Sequence, residues 1–99
     1  MLERDYQKKL KDKLQARFPD AIIFKTDPAA MQKQGFPDLL ILRKDKWAAL
    51  EVKADEKANH QPNQEDYINQ IKYMGNYAAF IFPENEKEIL NELERALAN

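Results

Sequence analysis

Cysteine is absent from this 99-residue chain, so it has no disulfide framework, no zinc–thiolate site and no thiol nucleophile. A reducing, cytoplasmic setting fits that absence. No apolar run approaches the roughly 18 residues that a membrane helix needs, and charge begins at Glu3. Both features read against a membrane span and a secretory signal. A dominant charge is missing too: the formal net charge is −1, which argues against non-specific nucleic-acid binding by bulk charge. The distribution is less even than the total. Residues 1–17 hold six Lys/Arg against three Asp/Glu, and residues 84–99 hold two against five. One surface could therefore attract phosphates while another faces solvent or a partner; solvated helix faces of opposite sign explain the asymmetry equally well.

The chain is 43% hydrophobic and 33% charged, a globular composition, and its length predicts one domain over residues 1–99 with one core. A domain this small gains buried surface by dimerising. Leu2, Tyr6, Leu10 and Leu14 recur every four residues and predict an amphipathic helix from about 2 to 17, ended by Phe18-Pro19-Asp20. Residues 21–24 read as a short strand, and Asp27 to Gly35 as a polar loop. Pro37 to Arg43 and Trp47 to Ala54 read as an antiparallel hairpin joined at Lys44-Asp45-Lys46. After a polar loop at 59–62, residues 63–74 resume helical spacing, with Pro62 in the first turn and Gly75 beyond the end. Residues 77–82 form an apolar strand covered on both faces, and residues 84–98 a last helix with Ile89, Leu90, Leu93 and Leu97 inward. The order is α-β-β-β-α-β-α.

Chemistry concentrates on the hairpin, as Pro37-Asp38, an apolar run, and Glu51-Val52-Lys53. Side chains alternate along a strand, so Glu51 and Lys53 emerge on one side. A tight turn centred between Lys44 and Asp45 places Asp38 opposite Glu51. Two opposed carboxylates, with Cβ atoms about 4.5–5.5 Å apart, repel unless a proton or cation lies between them. Mg²⁺ takes oxygen ligands at about 2.0–2.1 Å and keeps several waters, so two carboxylates and a carbonyl suffice. Asp38 and Glu51 would supply the carboxylates and Val52 its backbone carbonyl. Lys53 would position a water or stabilise charge developing on phosphorus. Alone, Glu-x-Lys on a strand describes an ordinary solvated face as well; Pro-Asp upstream on the same hairpin is what raises its meaning.

Gly35-Phe36-Pro37-Asp38, then Glu51-Val52-Lys53-Ala54, resembles the PD-(D/E)XK nucleases, and more narrowly their VRR-NUC branch. Small stand-alone members of that branch occur in phages and bacteria and are similar to Holliday-junction resolvases. The branch reads G-x-P-D, E-x-K-A, then a helix opening with S-P-x-Q. Here the third motif is Gln61-Pro62-Asn63-Gln64, with Gln in place of Ser at position 61. The resemblance covers roughly residues 1–82. It implies an α/β, restriction-endonuclease-like core, a mixed central sheet flanked by helices. It also implies Mg²⁺ as cofactor, with Mn²⁺ able to substitute, and hydrolysis of DNA to 5′-phosphate and 3′-hydroxyl ends. Branched or four-way-junction DNA, a homodimer, and the cytoplasm of a bacterial or phage-infected cell complete the expectation. The alternative is a catalytically inactive nucleic-acid-binding module on the same scaffold.

Supporting residues carry two readings each. By the resemblance, Glu3 on the first helix reaches the metal, directly or through water; otherwise it stabilises the helix N-terminus. Gln64 would hydrogen-bond a metal-bound water or a phosphate oxygen. Gln61 would cap its helix or touch the substrate. Lys25 and Lys33, flanking the polar loop, are candidate contacts to the DNA backbone. His60 has no Cys or His companion and reads as a plain loop residue; Trp47 reads as core or dimer-interface packing.

Overall fold

Tyr6, Leu10 and Leu14, one turn apart, are the buried stripe of the first helix, α1 (Glu3–Arg17). The computed structural model describes residues 1–27 and 30–98. Strands β1 (Ile22–Lys25), β2 (Leu39–Arg43) and β3 (Lys46–Val52) follow, then α2 (Pro62–Tyr73), β4 (Tyr77–Ile81) and α3 (Glu86–Ala96). The element order is the one that periodicity predicts. Bounds shift by a residue or two, and the last helix begins later than expected. Pro83–Asn85 form a separate 3₁₀ turn. There the Asn85 side chain accepts from Phe82 N–H at 2.9 Å and donates to Phe80 C=O at 3.1 Å, competing with α-helical bonding. The polar stretch predicted from Asp27 to Gly35 includes Pro28 and Ala29, which lie outside the described residues.

The sheet runs β1-β2-β3-β4, antiparallel except for the parallel β3–β4 pair. The hairpin turn is Lys44-Asp45 alone: Lys46 belongs to β3 and pairs with Arg43. Lys44 takes φ 56°, the left-handed conformation that two-residue hairpins demand. Leu39 consequently pairs with Leu50, the register expected from a tight turn.

Each face of the sheet has its own core. On one, Leu39, Ile41, Leu50, Val52 and Ile81 pack against the apolar stripes of α1 and α3. On the other, Ala49 and Ala78 pack under Ile68 and Ile71 of α2, with Leu40, Trp47 and Phe80 alongside. Trp47 is therefore partly buried packing. The chain leaves α2 through a Schellman closure: Asn76 N–H bonds Ile71 C=O and Gly75 N–H bonds Lys72 C=O. Gly75 provides the required φ of 91°. Because α2 crosses only the β3–β4 half, its N-terminus arrives beside the end of β3. That crossing sets the site.

Candidate active site

Odd-numbered β3 residues face α2, so Glu51 points to the same side as Ala49, and Asp38, preceding Leu40 by two, points there too. The carboxylates thus share a face. Asp38 lies just before β2, and its Oδ2 accepts from Val52 N–H at 2.8 Å. Glu51 is only 2% exposed. Its Oε2 accepts from Gln64 Nε2 at 3.4 Å, while Oε1 is buried without any partner. Lys53 is 6% exposed and donates from Nζ to Gln64 Oε1 at 2.8 Å. Gln64, on the first turn of α2, also accepts from Gln61 N–H at 3.0 Å. One amide therefore links the glutamate, the lysine and the start of a helix.

Burial is the main reason that the Glu51 carboxyl is pushed up to about 9. A hydrogen bond with Asp38, available only to the protonated form, and the Asp38 charge push the same way; Lys53 opposes them and the Glu3 charge adds the smallest upward push. A buried, unpartnered carboxylate oxygen is costly unless a proton or cation meets it. The donor set fits a hard divalent cation: two carboxylates on one face, one with an orphaned oxygen, and adjacent backbone. Among the described residues no group of three His, Cys, Asp or Glu could hold an ion unaided. Waters or a backbone carbonyl would have to complete the shell.

Thr26, which the sequence did not single out, and the motif residues Gly35, Phe36 and Asn63 hold the Asp38 segment in place. Thr26, 5% exposed, donates its hydroxyl to Pro37 C=O at 2.7 Å, and its N–H bonds Asp38 C=O at 2.9 Å. Phe36 meets Tyr67 of α2 edge-to-face with ring centroids 5.3 Å apart. Asn63 donates to Gln34 C=O at 3.0 Å. Gly35 permits this approach: its φ is +86°, and a Cβ there would lie 2.5 Å from Asn63 Cγ. Gly35→Ala is accordingly expected to cost about 1–2 kcal/mol from backbone conformation alone, with further loss from displacing Asn63. Urea unfolding of the variant checks the value.

The remaining candidates are spread out. Glu3 is exposed on α1 and exerts only the smallest push on Glu51. Lys25 ends β1 and is exposed. Lys33 is exposed in the loop, and no hydrogen bond or ion pair of its side chain ties it to the site among the described residues. Gln61 is exposed as the N-cap residue of α2. His60 stacks on Phe80, centroids 3.8 Å apart and planes within 6°, and stands 3.5 Å from Glu65. It packs over the cross-strand neighbour of Glu51.

No protein-family model matches the chain, and no curated protein does. The three-helix, four-stranded mixed sheet is nevertheless a known arrangement. A solved structure described as a VRR_NUC domain protein superposes with a TM-score of 0.76, covering 97% of this chain and 90% of its own. Sequence identity is 18%, so the likeness is one of fold.

Proposed function

We propose that this domain is a divalent-cation-dependent DNA endonuclease that hydrolyses phosphodiester bonds. The observation carrying the reading is the pair Asp38 and Glu51 on one sheet face, with Glu51 Oε1 unpartnered and Lys53 tied alongside through Gln64. Asp38, Glu51 and the Val52 carbonyl would hold Mg²⁺ or Mn²⁺, with Glu3 reaching it through water. When bound, the cation would neutralise phosphate charge and make water a stronger nucleophile near neutral pH.

The chain's own residues supply the rest. Burial lowers the local dielectric, so the Lys53 ammonium acts strongly on negative charge developing at phosphorus. Gln64 fixes its direction, and Val52 N–H fixes that of Asp38. Fixed donors need no reorganisation during the reaction.

Branched or four-way-junction DNA is the preferred substrate in this reading, within repair, recombination or phage DNA processing in the cytoplasm. A homodimer would present two sites to two strands. Ile22, Phe24 and Leu42 offer it a surface: they stand 64%, 49% and 41% exposed on the part of the sheet that α2 leaves open. No helix among the described residues is long and apolar enough to cross a membrane. The test is a cleavage panel of single-stranded, duplex, flap and four-way-junction DNA, with and without Mg²⁺ or Mn²⁺, on samples sized by light scattering. Cation-dependent cutting, strongest on the junction, by a particle of two chains is expected. Tight DNA binding with no cutting under any cation would favour the inactive module.

A further inference from the structure

Helix α1 carries basic residues on two flanks, and they meet different fates. On the flank toward α3, Lys13 pairs with Glu86 at 2.8 Å, and Arg17 pairs with Glu94 at 3.0 Å and donates to Asn91 at 3.0 Å. On the opposite flank, Arg4, Lys8 and Lys11 line a groove of about 350 Å³ with Lys25 of β1. All four are exposed, and none forms an ion pair among the described residues. Asp5 lines the groove too, leaving four cations against one anion. In a chain of net charge −1, that is a local reversal of sign.

The groove is placed as well as charged. Its floor includes Leu39, which pairs with Lys25 across the strands; both face the α1 side of the sheet, opposite to the face that carries Glu51, and the groove meets the site at the Pro37-Asp38 segment that leads into Leu39. Lys25 in turn precedes Thr26, whose backbone and hydroxyl hold the Pro37-Asp38 segment. The row Arg4, Lys8, Lys11 follows one helix face at spacings of four and three residues. It rises about 10 Å, close to the axial distance of about three phosphate-to-phosphate steps on one strand of a duplex.

We infer that the α1–β1 groove is a phosphate track that holds a stretch of DNA backbone flanking the bond being cut, approached from the α1 side of the sheet. The inference rests on the nuclease reading and adds Arg4, Lys8 and Lys11 to Lys25 as backbone-binding residues. Contacts of this kind orient a duplex without reading its sequence.

The experiment is fluorescence anisotropy of a labelled DNA duplex with the intact protein, without Mg²⁺ so that nothing is cut, across a series of salt concentrations. The fourfold variant Arg4→Gln, Lys8→Gln, Lys11→Gln, Lys25→Gln is expected to bind at least about tenfold more weakly. Its slope of log affinity against log salt should shrink by about 3–4, since each of the four lost phosphate contacts removes about 0.9. Lys87→Gln, exposed on α3, should match the parent protein. Should the fourfold variant fold poorly, Lys8→Gln with Lys11→Gln reads the same effect at about half the change in slope. An unchanged slope in a folded variant, while the parent protein binds DNA, overturns the track and leaves the nuclease reading standing. Failure of the parent protein to bind DNA at any salt overturns both.

Discussion

Asp38→Asn and Glu51→Gln should each lower cleavage by roughly a thousand-fold or more, because each removes a charge that a bound cation requires. Neither should unfold the protein. An amide oxygen at position 38 can still accept from Val52 N–H, and one at position 51 can still accept from Gln64. Circular dichroism and single-turnover cleavage on the same preparations separate loss of chemistry from loss of fold. Cation-dependent cleavage at the parent rate by either folded variant would reject the site. Lys53→Ala differs in kind: it leaves both carboxylates in place, so it should retain cation binding and lose rate.

The second large effect lies in the pH dependence of stability without added cation. Glu51 ionises near its ordinary 4.5 in the unfolded chain and is pushed up to about 9 in the fold, chiefly by burial. Between those values the folded state holds a proton that the unfolded state has released. Stability is then fullest below pH 4.5 as far as this group is concerned, and declines as pH rises toward 9. Thermal unfolding in EDTA between pH 6 and 9 should show that decline. Glu51→Gln should flatten it and unfold at a higher temperature than the parent protein at pH 8, since no charge remains to be buried. Added Mg²⁺ should restore the parent protein and leave Glu51→Gln unmoved. A flat profile for the parent protein would show that Glu51 is not held protonated. Glu51 then costs the fold stability near neutral pH and is also a residue on which the proposed cleavage depends.

Much of this was legible from local pattern. The register of the hairpin followed from a two-residue turn, which made Leu39 face Leu50 and put Asp38 and Glu51 on one side. The helices followed from stripes such as Tyr6, Leu10 and Leu14. The turn at Pro83–Asn85 was not legible, because it depends on how the Asn85 amide divides its two hydrogen bonds. Thr26 was missed for a related reason: one threonine after a strand says nothing until β1 is known to lie beside Asp38. Gly35 could be read as part of a motif, but its purpose depends on Asn63, 28 positions later, entering the space a side chain would fill. The basic flank of α1 was visible only as an excess of charge. Which lysines α3 neutralises is a matter of packing, as Lys13 and Glu86 show.

Calorimetric titration of Mg²⁺ into the protein at pH 8, beside Asp38→Asn and Glu51→Gln, tests the central assignment most directly. Two anionic oxygens gathering around one divalent ion should give saturable uptake, with protons released as Glu51 ionises, and either substitution should abolish it. Uptake that persists unchanged in both variants would place the ion elsewhere and remove the basis for the proposed hydrolysis.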